Sequence, residues 1–326
     1  MTRILFIELL GGIGDLVLAL PAIHALARTH APAHMTVLTF APAGALLRTD
    51  PHVQRVVHPG GSARDAVAAI LDGGFDLVVS DTCYDDIPAL LRERGPARVV
   101  ENLWRDPPPD ERIDLRFLRL LVADGLIDPG LARLPPRLYL TAEEVDGGRR
   151  RLTGSARPAV LLVAEAGMRI KQWPVDQWRL LSKTLHSEFG AGVVAVSGAD
   201  PELAAAAVGG VGLVLPRLPL RDVTAVAAAA DVCVAADTGL ARLAAAVGTP
   251  TVCLFGPTVS GRFGLREEGH RSLDSPLPCP VRNPANMTEQ SCWYSGRCVY
   301  DDRTSCMDDI PVAAVTAAVR SLLEAR

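Results

Sequence analysis

The chain has 326 residues, of which 49% are hydrophobic and 21% charged, with a net charge of −4. That length suits two domains of about 150 residues, each able to bury its own core, and the composition excludes disorder. Lys171 and Lys183 are the only lysines. No cationic surface is marked out for a phosphate backbone, so no nucleic-acid partner is expected.

Apolar stretches with the length and residue types of strands occupy residues 4–9, 35–40, 55–57, 76–80 and 98–101, with helical periodicity between them, notably at 21–28 and 66–71. Strands alternating with helices predict a parallel sheet covered on both faces. The first strand runs into Gly11-Gly12-Ile13-Gly14-Asp15 and then a helical pattern. Glycines there let the chain turn tightly beside a phosphate or substrate. A dinucleotide fingerprint fits poorly, because Val17 stands where a third Gly or Ala belongs and no ribose-binding acid follows the second strand at Thr39-Phe40-Ala41. Asp15 falls at the helix start, as a helix cap or as a carboxylate facing ligand.

The alternation lapses around Pro135, Pro136 and the polar stretch 141–157, which sets the expected domain boundary between residues 150 and 151. It resumes with strands at 159–164, 192–197, 211–215, 231–235 and 251–255. Two α/β domains of this kind, 1–150 and 151–326, would face each other across a cleft at their C-terminal strand edges. After the strand at 159–164 comes Lys171-Gln172-Trp173-Pro174, a loop from which an ammonium can neutralise phosphate. Gly198-Ala199-Asp200 follows the next strand, placing an acid where it can accept ribose hydroxyls. The run from Asp231 to Pro257 is strand, turn, short helix and strand; Asp237 and Thr238 can cap that helix while Gly239 admits a ligand near its positive end.

No apolar run reaches the ~18 to 20 residues needed to cross a bilayer, since Glu8, Asp15, Asp231 and Asp237 interrupt the candidates. Glu8 and the glycines follow Arg3 too closely for a signal-peptide core, and a cytoplasmic location is expected. Cys83, Cys233 and Cys253 are expected to pack as small hydrophobes. Cys279, Cys292, Cys298 and Cys306 cluster in sequence without a Cys-x2-Cys pair, which leaves a structural zinc or iron site, free thiols and disulfides all open.

The ordered set Gly14-Asp15, Lys171-x-Trp173-Pro174, Gly198-Ala199-Asp200, Asp237-Thr238-Gly239, Gly248-Thr249-Pro250 and Phe255-Gly256-Pro257 resembles glycosyltransferase family 9, the heptosyltransferase-like enzymes. The resemblance implies a GT-B fold of two Rossmann-like doubly wound domains, an acceptor held by the first and a nucleotide sugar by the second. It implies inversion at the anomeric carbon without a catalytic metal or cofactor, and a final helix at 312–324 that crosses back to the first domain. Asp15 then looks like the general base and Gly11, Gly12 and Gly14 the acceptor or phosphate loop. Lys171, Asp200, Asp237, Thr238, Gly239 and Arg242 become the donor-binding set. ADP-heptose is the leading donor. The acceptor is a glycan, lipid-linked, protein or small-molecule hydroxyl, and a lipid-linked one would bring the protein to the inner face of a membrane. Two departures stand out: Arg242 lies in the helix where the family commonly carries His, and Leu9 where a basic residue often precedes the glycines. Alternative readings are a non-catalytic nucleotide-sugar binder, kept open by those departures, and a sugar-nucleotide epimerase or nicotinamide oxidoreductase, the latter disfavoured by the imperfect fingerprint.

Overall fold

A computed structural model describes residues 1–105, 110–266, 269–299 and 305–325. The chain divides into two compact units, Met1–Tyr139 and Leu140–Arg326.

The first unit runs β1 (Thr2–Ile7), α1 (Ile13–Thr29), β2 (Ala33–Leu38), α2 (Ala41–Gly44), β3 (Arg55–Val57), α3 (Ala63–Leu71), β4 (Leu77–Ser80), α4 (Ile87–Arg94), β5 (Val99–Val100) and α5 (Ile113–Ala123). Its five strands are parallel in the order β3-β2-β1-β4-β5. The order reverses beside β1, so ligand-binding groups are expected where β1 and β4 end. All four residues of β4, and the last four of β1, are buried, because a parallel sheet is covered on both faces. One core cluster packs Leu5, Ile7, Leu38 and Val78 against Val67, Ile87 and Leu91 of α3 and α4.

The second unit runs α6 (Ala142–Arg151), β6 (Ala159–Val163), α7 (Val175–Phe189), β7 (Gly192–Val196), α8 (Pro201–Val208), β8 (Gly212–Leu215), α9 (Leu220–Ala229), β9 (Val232–Ala236), α10 (Gly239–Ala246), β10 (Thr251–Phe255), α11 (Ser260–Phe263), β11 (His270–Asp274), α12 (Ser291–Ser295) and α13 (Val312–Glu324). Its sheet order is β11-β10-β9-β6-β7-β8, again all parallel. Trp173, Trp178 and Leu181 anchor the core on one face of this sheet, and Trp173 Nε1 donates to the Ile310 carbonyl at 3.0 Å. Val315, Val319 and Leu322 of α13 belong to the same core, and α13 packs on α7 and on β9, β10 and β11 of its own unit.

Two expectations shift. The division falls between Tyr139 and Leu140, eleven residues before the expected one, because α6 docks on α9. Gly148 is what permits that approach: a Cβ there would lie 2.0 Å from the Ala225 carbonyl oxygen. The same contact is pinned by Arg221, whose Nε and Nη2 donate to Glu144 at 2.6 and 2.5 Å. The sixth strand, β11, was not anticipated, and it pairs along the whole of β10.

Candidate functional site

In the second unit Lys171, Asp237 and Arg242 meet at the C-terminal edge of β9. Asp237 follows β9, its N–H held by the Leu254 carbonyl of β10 at 2.9 Å. Thr238 is the N-cap of α10, its Oγ1 accepting from the Ala241 N–H at 3.4 Å, and Gly239 opens the helix. Lys171 ends a short 3-10 turn, Arg169–Lys171, and reaches across 66 residues to donate to Asp237 Oδ2 at 2.9 Å and to its carbonyl oxygen at 3.3 Å. Arg242, one turn into α10, donates to Asp237 Oδ1 at 2.6 Å, and Thr258 Oγ1 donates to Oδ2 at 2.8 Å. Trp293 of α12 sets its ring 5.0 Å from Lys171 Nζ.

The electrostatics of this cluster favour an anion. Asp237 is only 5% exposed, and burial alone would push its carboxyl up, but Lys171 and Arg242 outweigh burial and hold it below the ordinary carboxylate range. Two cations against one carboxylate leave a net positive charge. A phosphate arriving there meets groups already oriented, at an arginine able to bind in two-pronged fashion and a lysine acting as a point charge. Cys253, packed beneath, is pushed well above the usual thiol value by burial, and Cys233 to about 12, so both remain neutral.

Asp200 is placed apart from this network. It is the N-cap of α8, with Oδ1 accepting from the Leu203 N–H at 3.0 Å. The turn before it is closed by Glu165, whose carboxylate accepts from the N–H groups of Gly198, Ala199 and Asp200 at 2.5, 2.7 and 3.2 Å. Thr258, Trp293 and Glu165 were not singled out in the sequence. Thr258 adjoins the Phe255-Gly256-Pro257 motif, which was a usable signal; Trp293 and Glu165 carried none.

In the first unit the glycine turn is built as its residues require. Gly11 sits at φ +91°, a conformation other residues rarely adopt. Gly12 is the N-cap of α1 by backbone alone, Gly14 falls in the first turn, and Asp15 follows it there. Asp15 is therefore not the cap. Its carboxylate folds back over Gly12, where a Cβ would stand 2.3 Å from Asp15 Oδ2. Next to it are two acids that sequence reading passed over, Glu8 and Asp81, both fully buried at the ends of β1 and β4. Downstream of Asp81, Tyr84 donates its hydroxyl to the Leu9 carbonyl at 2.6 Å, and Asp85 and Asp86 both take left-handed backbone at φ 55° and 54°. Such strain persists only where surrounding contacts over-determine it, and it collects at ligand sites.

The four clustered cysteines are free thiols, as are Cys233, Cys253 and Cys83, the last exposed where packing beside a strand was expected. Cys292 is pushed up by burial with Cys279 and Cys298 adding to the effect, and Cys306 reaches about 11, burial overcoming the nearby Arg282. Among the described residues no group of three or more His, Cys, Asp or Glu is arranged to hold a metal ion. No helix among the described residues is long and apolar enough to cross a membrane.

Residues 123–283 match the sequence model of glycosyltransferase family 9 (heptosyltransferase). Over that segment, just under half of its length, the chain is similar to glycosyltransferase family 9. The segment contains Lys171, Asp200, Asp237, Arg242 and Thr258 and stops short of Asp15 and Trp293. Lipopolysaccharide heptosyltransferase 1 of Pseudomonas aeruginosa is 39% identical over 128 residues, covering 38% of this chain and 34% of that protein. The chain thus matches about a third of that relative's length. Among solved structures, a family 9 glycosyl transferase from Veillonella parvula aligns with a TM-score of 0.78 at 16% identity, over 100% of this chain and 98% of that one. E. coli ADP-heptose LPS heptosyltransferase II aligns at 0.74 and 18% identity, over 100% and 99%. At that identity the likeness is one of fold, and the fold class is GT-B with two parallel-sheet α/β domains.

Proposed function

We propose that the protein is an inverting glycosyltransferase that moves a heptose from ADP-heptose to a hydroxyl of a lipopolysaccharide-type glycan. The observation that carries this reading is the Lys171, Asp237, Arg242 and Thr258 cluster at the β9 edge, a preorganised cationic site inside the family segment. The relatives' names supply the donor and acceptor classes.

In this reading the donor's diphosphate lies against Lys171 and Arg242, with Thr238 and Gly239 at the N-terminal end of α10 beside it and Asp200 offering its second carboxylate oxygen to the ribose. Trp293 covers Lys171 and lends an apolar face to the donor. The acceptor oxygen attacks the anomeric carbon as the bond to the diphosphate breaks. Asp15 takes the hydroxyl proton, and Lys171 stabilises the negative charge growing on the departing nucleoside diphosphate. Gly11, Gly12 and Gly14 leave room for the acceptor. No metal is asked for in any step. An acceptor carried on a lipid would bring the protein to the cytoplasmic face of a membrane.

The test is product analysis with ADP-heptose and a heptose-deficient lipopolysaccharide core as acceptor, alongside ADP-, UDP-, GDP- and dTDP-hexoses. Transfer from ADP-heptose with inverted anomeric configuration supports the reading. Transfer from another donor alone would assign the changed site chemistry at Arg242 to a different sugar, and binding of ADP without transfer to any acceptor would make the protein a non-catalytic binder.

A further inference from the structure

The first unit buries two carboxyl groups that the transfer chemistry above leaves unused. Ile7 of β1 and Ser80 of β4 are register partners, so the residues that follow them, Glu8 and Asp81, emerge side by side at the sheet edge. Both are 0% exposed. Glu8 is furnished as an acceptor: Thr39 Oγ1 donates to its Oε2 at 2.6 Å and the Leu10 N–H to its Oε1 at 3.2 Å. Asp81 is furnished on one side only. Thr82 Oγ1 donates to Oδ1 at 3.0 Å while accepting the Leu9 N–H at 2.8 Å, and the buried Oδ2 has no partner among the described residues. An anionic oxygen left dry and unpaired is costly, whereas a protonated one is not, and neighbouring carboxyls resist ionising together.

We infer that Glu8 and Asp81 form a coupled pair of buried acids beside Asp15, with Asp81 the holder of the pair's last proton and Glu8 the positioning residue whose charge sets how strongly Asp15 binds a proton. The inference rests on the reading of Asp15 as the base. Burial is the largest influence on Glu8 and lifts it to about 7, with the Asp15 charge adding to the rise; burial also lifts Asp81 well above the carboxylate range, with Glu8 and Asp15 adding. Of the two acids Asp81 is thereby lifted well above the carboxylate range, and Glu8 changes charge near 7. Each ionisation of Glu8 places a negative charge near Asp15 and makes Asp15 a stronger base. The other groups facing this pocket are Tyr84, Cys83, Asp85 and His58. Tyr84 and Cys83 are both pushed up by burial and stay neutral. Asp85 adds to the rise at Tyr84, and His58 Nδ1 pairs with the Thr39 carbonyl oxygen at 2.8 Å, which makes His58 the neighbour to control for.

The experiment is a carbon-13 carboxyl NMR titration of the ligand-free full chain from pH 4 to 9, on wild type, Glu8→Gln, Asp81→Asn, His58→Gln and Asp15→Asn. Glu8→Gln should fold, because Thr39 Oγ1 can turn to accept from the new amide while the Leu10 N–H keeps its acceptor. Asp81→Asn mimics the protonated acid. The expected result is a resonance with a midpoint near 7 that is lost in Glu8→Gln and kept in Asp81→Asn and His58→Gln. Alongside it, the Glu8 midpoint should fall by about half a unit or more in Asp15→Asn, which removes the neighbouring charge. A Glu8 midpoint in the ordinary carboxylate range, or one indifferent to Asp15→Asn, overturns the inference. Wild-type turnover in Asp15→Asn would instead remove the base assignment while leaving the titration intact, so the two failures are distinguishable.

Discussion

Replacing Lys171 by Met separates binding from folding, because its ammonium does two jobs of unequal weight. In the fold it is one of three donors to the Asp237 carboxylate, at 2.9 Å, and Arg242 and Thr258 remain at 2.6 and 2.8 Å when it is gone. Losing one partner of a buried ion pair costs ~3 to 5 kcal/mol when the survivor is stranded, and here the survivor is not, so a cost near that of a single charged hydrogen bond, about 1.5 to 3 kcal/mol, is the ceiling. Met also keeps an apolar stem against the Trp293 ring. In the proposed donor site the ammonium would be a phosphate contact worth about 1.5 to 3 kcal/mol, which is roughly a 12- to 150-fold rise in Kd on its loss. Isothermal calorimetry with ADP, paired with urea unfolding of the same samples, reads both. An ADP Kd within about threefold of wild type in a folded Lys171→Met protein would refute the assignment of this cluster to the diphosphate.

Asp15→Asn should keep fold and donor affinity while slowing transfer at least ~100-fold in a saturating-donor assay, since the amide preserves shape but cannot take a proton; near wild-type turnover would leave Asp15 a first-turn helix acid and nothing more. Gly12→Ala should leave stability almost unchanged, because φ −89° and ψ 142° suit alanine, yet it should lower turnover by displacing the Asp15 carboxylate from the position where a Cβ would stand 2.3 Å away; kcat and a urea midpoint measured together decide it. Glu8 makes stability fall as pH rises: from its ordinary value near 4.5 up to about 7 the folded chain keeps a proton that the unfolded chain has released. The loss from Glu8 approaches about 3 kcal/mol above pH 7, the Glu8→Gln protein should show a shallower slope with the part due to Asp81 remaining, and urea midpoints at pH 5 and pH 8 measure the difference.

The alternation of strands and helices was legible because both sheets are parallel and buried, which writes every inner strand as a short apolar run. What escaped was whatever does not follow that rule. β11 reads His270-Arg271-Ser272-Leu273-Asp274, an edge strand of partly exposed polar residues with no apolar run to mark it. α6 reads as a linker because its residues are polar almost all round, and it docks on α9 through one glycine and the ion pairs Arg221–Glu144 and Arg151–Asp222 instead of an apolar stripe. Glu8 and Asp81 stand 73 positions apart and look in sequence like charges that interrupt strands; only the pairing of β1 with β4 shows them side by side and buried. Lys171 and Asp237 were legible as chemistry but not as partners, since nothing in a sequence states that a loop lysine will bridge 66 residues to a carboxylate.

Asp200 and Glu165 show how a strand-to-helix turn is assigned its use. Both the β7–α8 and the β9–α10 turns end a parallel strand, and each opens a helix whose free N–H groups favour negative charge. At β7–α8 the chain supplies that charge itself. Glu165 takes three successive N–H groups, and Gly198 is required there because a Cβ would meet the Glu165 carboxylate at 2.6 Å. A phosphate would have to displace a covalently tethered anion to bind at that turn, so what remains for a ligand is the outward oxygen of Asp200, suited to a hydroxyl donor such as ribose. At β9–α10 the arrangement is opposite. The one carboxylate, Asp237, is turned toward two cations and saturated by them, leaving the site with excess positive charge. In the proposed function, an anionic group and a hydroxyl-bearing group on one ligand would be told apart by two turns of a single sheet, on strands either side of β6, which is the discrimination a nucleotide sugar demands.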